Sequence, residues 1–250
     1  MTPAIFLAFL VTNMYKILLK AIFAGCIAGT VVFGVQVFKL IPLILTAETY
    51  ETGMADHHGT ATTAEAEHAH SADHTHDHEA WQPEDGLERY AYTFFSNIGM
   101  AIGFALLLMG IWMWRDQTIN TTTGLLWGLG GFIAFSLAPS FGLPPELPGT
   151  QAAALENRQV WWLATALATS IGLGMLFLYH HLATKIGGVV FIALPHIIGH
   201  PQGPTGGAVP PELNAHFTAA SIAVMALFWV VLGSSCGWLY GHSDQKPEVT

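Results

Sequence analysis

The chain has 250 residues, of which 52% are hydrophobic and only 10% are charged, and its formal net charge is −9. This balance excludes an ordinary soluble domain, and it is typical of a protein that crosses a membrane several times, in contact with lipids. Outside one acidic segment the basic residues slightly outnumber the acidic ones, so we expect no nucleic-acid partner. Because motifs for nucleotide binding and for a nucleophilic serine are absent, the sequence predicts no enzyme, no catalytic residue and no tightly bound cofactor.

The apolar segments, taken in chain order, predict an all-α bundle of transmembrane helices. We expect an N-terminal extension over 1–13, a first transmembrane helix over 14–47, an external loop over 48–88, the rest of the bundle over 89–240 and a C-terminal tail over 241–250. A helix needs about 20 apolar residues to span a bilayer. Five segments are that long or nearly so, and a sixth is shorter; in order, they are 17–45, 92–114, 122–138, 160–179, 186–199 (the short one) and 216–240.

An internal repeat bears on whether the short segment crosses the membrane. Three apolar segments end at a proline, at Pro42, Pro139 and Pro195, and each is followed by a polar connection into a helix that has an acid near its start. The sequence Pro-Pro-Glu-Leu occurs in two of the connections, at 144–147 and 210–213. If all three connections lie on one side, the bundle has six helices in three hairpins. The alternative is five helices and a short re-entrant segment.

Basic residues predict which side is cytoplasmic. Those expected to face the cytoplasm are Lys16, Lys20, Arg115, Lys185 and Lys246, against Lys39, Arg89 and Arg158 on the other side. Since cytoplasmic loops carry an excess of Lys and Arg, this distribution favours a loop 48–88 outside the cytoplasm. We therefore expect a multi-pass protein of a bacterial inner membrane, with that loop on the periplasmic or external side.

The loop itself carries the densest chemistry of the chain. Between Glu48 and Glu88 there are eleven Asp or Glu residues, seven His and no Lys or Arg. Such a composition has little to bury and predicts a disordered segment. Imidazoles beside carboxylates suit divalent first-row metals. The histidines predicted to bind metal there are His57, His58, His68, His70, His74, His76 and His78.

The membrane body offers a second set of candidate metal ligands. His196 and His200 are four residues apart, as are Glu212 and His216, so each pair lies on one face of a helix. Ionisable groups at membrane depth suggest a pathway, but near the ends of segments they serve equally well as interfacial anchors or caps. Both interpretations stay open for these four residues.

Several stretches of the sequence resemble one family. They are 16–25 (KILLKAIFAG), 41–51 (IPLILTAETYE), 138–149 (APSFGLPPELPG), 158–166 (RQVWWLATA) and 194–199 (LPHIIG). In this order they are similar to the predicted cobalt transporter subunit CbtA, and the resemblance extends over residues 14–240. It implies a polytopic protein that is associated with cobalt uptake for cobalamin synthesis, usually described with five spans, and a small single-helix partner subunit, CbtB.

The leading hypothesis is a membrane protein that captures Co²⁺, or alternatively Ni²⁺ or Zn²⁺, on the external loop and passes it through the helical bundle. The main alternative is a non-transporting accessory or structural subunit that buffers metal within a larger membrane complex. A third option is a haem-bearing membrane enzyme in which His196 and His216 oppose each other across the bundle.

Overall fold

The computed structural model describes residues 3–57, 83–204 and 207–242, with side chains from residue 14 to 50 in the first range and throughout the other two. This part of the chain is all-α apart from one isolated bridge between Thr150 and Gly207. The helices are α1 (Pro3–Lys39), α2 (Ile41–His57), α3 (Leu87–Trp114), α4 (Thr121–Phe132), α5 (Ala138–Ser140), α6 (Leu155–Leu178), α7 (Leu182–Ile198) and α8 (Pro211–Gly241).

Five apolar helices in the described ranges are long enough to cross a membrane. They are Met14–Lys39, Leu87–Trp114, Thr121–Ser140, Leu155–Leu178 and Pro211–Gly241. The sixth apolar helix, α7, has 17 residues and is shorter than the usual span. The all-α class and the positions of the apolar segments are therefore as the sequence predicted, whereas length and composition alone do not make α7 a span.

The first apolar segment divides into two helices at Leu40. Pro42 has no N–H to donate to the carbonyl four residues earlier, so the helical ladder is interrupted there. On either side of this interruption the backbone bonds are those of an α-helix: Leu40 N donates to Gln36 O at 2.9 Å, and Ile44 N donates to Leu40 O at 3.0 Å. The helix α2 then continues to His57, which places residues 48–57 of the predicted loop in a helix.

Successive long helices run in alternating directions between two ends of the bundle. We call one the loop end, because the connections 58–86, 141–154 and 199–210 start and finish there. The other is the turn end, with the short connections 115–120 and 179–181.

Contacts between distant residues establish these two ends. At the turn end, Lys20 Nζ donates to Tyr240 O at 3.4 Å, and the Trp112 and Tyr240 rings lie 5.5 Å apart. At the loop end, Leu147 N donates to Asn214 Oδ1 at 3.3 Å. The end of α8 is thus tied to α1 and α3, and its start is tied to the connection 141–154.

Glycines decide which helices pack closely. A β-carbon on Gly29 would lie 2.8 Å from Ile98 Cα, so α1 and α3 approach at backbone distance. On α4, a β-carbon at Gly124 would collide with the carbonyl oxygen of Gly233 on α8. On α6, a β-carbon at Gly172 would lie 2.6 Å from the Gly188 oxygen of α7. The packed pairs are therefore α1–α3, α4–α8 and α6–α7.

This pairing corrects one expectation. The three predicted hairpins joined helices across the long connections. Of these pairs, α1 and α3 pack closely, whereas the helix Thr121–Ser140 contacts α6 mainly through its C-terminal part. The helix α4 packs against α8 instead, and α6 packs against α7 across a short turn. The reason is steric, since close approach requires glycines that face each other on the two helices.

A π-helical turn, Ile133–Leu137, joins α4 to α5. It precedes Pro139, which cannot donate to the helical ladder. The Ser140 hydroxyl donates to Ser136 O at 2.6 Å, and Trp229 Nε1 donates to Ser136 Oγ at 3.3 Å. The turn also contacts α6, and it thereby links the core formed by α1, α3, α4 and α8 to the α6–α7 pair.

Candidate functional site

The base of the histidine-rich loop is held by ion pairs. Arg89 Nη1 on α3 contacts Glu48 Oε1 on α2 at 2.8 Å, and Arg89 Nη2 contacts Asp85 Oδ1 at 2.7 Å. The Glu48 and Arg89 side chains are only 30% and 20% exposed. The Glu48–Arg89 pair therefore holds the middle of α2 beside the start of α3.

The other two connections at the loop end are joined to each other and to α8. Thr150 and Gly207 form a β-bridge, and Ala208 N donates to Gly149 O at 3.3 Å. The Thr218 hydroxyl on α8 donates to Pro145 O at 2.8 Å. The first Pro-Pro-Glu-Leu segment is therefore held against the start of α8, which contains residues 211–213 of the second.

His196 and His200 share an aromatic neighbour, Trp161. The His196 ring lies 5.8 Å from the indole and the His200 ring 6.1 Å from it, both edge-to-face. Phe141 contacts His196 from a second side at 6.3 Å. The sequence predicted the two imidazoles on one face if the segment is helical, but α7 ends at Ile198 and Gly199 has φ 95°, so His200 lies beyond the helix. What the two rings share is their contact with Trp161.

Glu212 and His216 lie at the start of α8, at the same loop end, and both side chains are exposed. In the ranges 14–50, 83–204 and 207–242, no three His, Cys, Asp or Glu side chains lie close enough together to hold a metal ion. The structure thus does not join these two residues with His196 and His200 in one group of ligands. A metal-binding role for each of the four residues remains a prediction.

The loop histidines fall almost entirely outside the described residues. His57 is the last residue of α2. The others, which stay predicted metal ligands that the structure does not describe, are His58, His68, His70, His74, His76 and His78.

A polar cavity at the loop end was not predicted from the sequence. It has a volume of about 200 Å³, and its polar lining includes Glu146, Gln151, Arg158 and His200. Glu146 Oε2 contacts Arg158 Nη2 at 3.1 Å. The available signal was Glu146 itself, the acid of a Pro-Pro-Glu-Leu segment, but nothing in the sequence placed it near His200.

Two comparisons find no relative: no curated protein and no solved structure matches the chain at a significant level. A family model does match. It is described as "Probable cobalt transporter subunit (CbtA)", and the match covers residues 14–241, which is nearly the whole apolar body together with the histidine-rich loop. The chain therefore belongs to the CbtA family of probable cobalt transporter subunits.

Proposed function

We propose that this chain is a metal-uptake subunit of the bacterial inner membrane that captures Co²⁺ on its external loop and passes it into the helical bundle. The observation that supports the proposal is the position of the candidate metal ligands relative to the loop. The helices that flank the histidine-rich segment, α2 and α3, meet at the loop end, where His196, His200, Glu212 and His216 also lie. Metal released from the loop would thus meet these side chains first.

The family description supports cobalt as the cargo, and the chemistry of the ligands leaves Ni²⁺ and Zn²⁺ as alternatives. Imidazole affinity follows the Irving–Williams order rather than a biological preference. Selectivity must therefore arise within the bundle, or in a partner, rather than on the loop.

We further propose six membrane crossings, with the loop end outside. The 17 residues of α7 give a helix of about 25 Å, and this helix packs antiparallel along α6. A tilted or locally thinned bilayer accommodates such a short span. Lys16, Lys20, Arg115 and Lys185 then face the cytoplasm. At the outer end, Arg89 and Arg158 each hold a carboxylate, which gives both a structural role there.

The capture role is tested by removing residues 56–79. We expect the shortened chain to take up less Co²⁺ when the metal is scarce and to approach the intact chain when it is abundant, because capture is lost while passage is kept. The measurement is uptake of labelled Co²⁺ by whole cells over a range of external concentrations, with Ni²⁺ and Zn²⁺ as competitors.

The matched control keeps the length of the loop and replaces its seven histidines by asparagine. It should behave like the shortened chain if imidazoles do the capturing. Uptake equal to that of the intact chain at every Co²⁺ concentration, in both variants, would refute the capture role.

A second candidate is a non-transporting accessory subunit that buffers metal for a larger complex, and the word "subunit" in the family description favours it. The small single-helix partner CbtB is the companion that we propose in either case. The two functions differ in reconstituted liposomes. Inward Co²⁺ flux through this chain together with its partner supports transport, and flux that is the same when this chain is omitted supports the accessory role.

A further inference from the structure

The polar cavity at the loop end lies between three segments that are distant in sequence. Its walls come from 142–146, from 151–158 and from 200–204. Glu146, Arg158 and His200 are the ionisable side chains in its lining, and Gln151 adds an amide. All three ionisable side chains are partly buried, so this is a recess in the fold and not an open surface.

Backbone packing gives the cavity fixed walls. A β-carbon on Gly203 would lie 2.8 Å from Ala153 N, so the third segment is pressed directly onto the second. A β-carbon on Gly142 would lie 2.9 Å from His200 Cβ, which fixes the first segment against the third. The Trp161 ring supports His200 from the side of the bundle.

The carboxylate in the cavity is held by an ion pair that a metal cation can replace. Glu146 and Arg158 make a single contact at 3.1 Å, and their side chains are 24% and 31% exposed. A partly exposed ion pair with one contact is weak. The amide nitrogen of Gln202 lies 3.2 Å from His200 Nε2 and 3.4 Å from His200 Nδ1. A carboxylate and a neutral imidazole are both suitable ligands for a divalent first-row cation.

We propose that this cavity is an acceptor site for such a cation, with Glu146 and His200 as ligands and Arg158 as the counter-charge that the metal displaces. The exposed Gln151 side chain supplies an amide oxygen as a third ligand. Without metal, Arg158 neutralises Glu146; when a divalent cation arrives, it takes the carboxylate and the guanidinium moves away. Two strong ligands suit a site that receives metal and passes it on. The inference rests on the proposed uptake function and names the residues that accept metal from the loop.

The test measures Co²⁺ binding to the purified full-length chain in which the seven loop histidines are replaced by asparagine. Isothermal titration gives the affinity for Co²⁺ of the ligands outside the loop. We expect Glu146→Gln and His200→Ala each to weaken Co²⁺ binding by about tenfold or more, since even the loss of an outer partner of a ligand costs about 10- to 100-fold. Arg158→Gln should bind Co²⁺ more tightly, because Glu146 loses its competing partner.

Three matched variants serve as controls. Glu156→Gln removes an exposed acid from the first turn of the same helix as Arg158, Arg89→Gln removes the other ion-paired arginine of the loop end, and His181→Ala removes an imidazole at the turn end. All three should bind Co²⁺ like the parent. Thermal unfolding of every variant identifies those that fail to fold. If Arg158→Gln does not fold, Arg158→Lys takes its place; it keeps the counter-charge and should bind Co²⁺ like the parent.

The proposal is overturned if folded Glu146→Gln and His200→Ala both bind Co²⁺ like the parent, if the parent itself binds none, or if Arg158→Gln weakens binding. Whole-cell uptake separates this outcome from failure of the proposed function. If transport is unchanged in Glu146→Gln and His200→Ala, the acceptor site is refuted and the uptake role stands. If Co²⁺ binding depends on both residues but the chain never raises uptake, the site stands and the transport role is refuted.

Discussion

Thr165 and Thr169 are fully buried on α6, and within the described part of the chain their hydroxyls have no hydrogen-bond partner. Ser170, the next residue, differs because its hydroxyl donates to Ala166 O at 2.7 Å. Burying a hydroxyl without a hydrogen bond costs about 1–3 kcal/mol in proteins. One face of α6 therefore holds polar groups that helix packing alone does not explain.

Replacing Thr169 by valine removes the hydroxyl and keeps the shape of the side chain. We expect Thr169→Val to raise the free energy of unfolding by about 1 kcal/mol, because an unpaired buried polar group is lost. Thermal unfolding in detergent measures the change, and Ser170→Ala, which removes a hydroxyl bonded within its own helix, should leave the midpoint nearly unchanged. A lower midpoint for Thr169→Val would mean that this hydroxyl stabilises the fold through a partner.

At the scale of elements, the helices were readable from the sequence and most of their pairings were not. Apolar length identified the candidate spans, whereas the spacing of glycines does not identify the partner of a helix. Gly99 and Gly103 on α3 have the same spacing as Gly25 and Gly29 on α1, yet a β-carbon at Gly99 or Gly103 would meet nothing within 4 Å. A glycine pattern marks a face that can be approached, but the partner depends on which other helix presents small residues at the same depth.

The contact between α4 and α8 gives a sharp test of this steric argument. A β-carbon on Gly128 would collide with Trp229 O and lie 3.0 Å from Gly233 Cα, and neither backbone atom can move without separating the helices. We expect Gly128→Ala to lower the free energy of unfolding by about 1–3 kcal/mol, the usual cost of overpacking. The measurement is thermal unfolding in detergent.

Gly99→Ala is the control for the same chemical change in open space. It should leave stability unchanged or raise it by about 0.5–1 kcal/mol, because alanine loses less backbone freedom than glycine in a helix. Equal effects of the two substitutions would show that helix propensity, and not contact between α4 and α8, decides the outcome.

For the whole molecule, the sequence identified candidate metal ligands, which stay predictions, but it did not indicate the cavity. The histidine-rich segment and the two i, i+4 pairs are visible as local patterns. The cavity is not, because Glu146, Arg158 and His200 meet only after α6 and α7 pack together and the two connections bridge. In addition, Glu146 is paired with Arg158, so no cluster of metal-ligating residue types marks it as a candidate ligand.

The number of membrane crossings is a property of the whole molecule, and α7 decides it. Ala183 at the start of α7 and Gln202 just after its end are both exposed and lie at opposite ends of the bundle. After replacement of Cys26 and Cys236 by alanine, we expect Gln202→Cys to react with a membrane-impermeant maleimide added to intact cells.

Ala183→Cys should react only after the cells are permeabilised, as should the reference variant Thr118→Cys in the connection between α3 and α4. A re-entrant α7 would place Ala183 and Gln202 on the same side, so both variants would be protected in intact cells, and α8 would then carry the C-terminus outside. That result would also contradict the cavity, because its walls combine residues 142–158, which precede α6 or belong to its start, with residues 200–204, which a re-entrant α7 would return to the opposite side of the membrane. Reaction of Gln202→Cys alone in intact cells therefore tests at once the six crossings and the outward-facing position of the acceptor cavity.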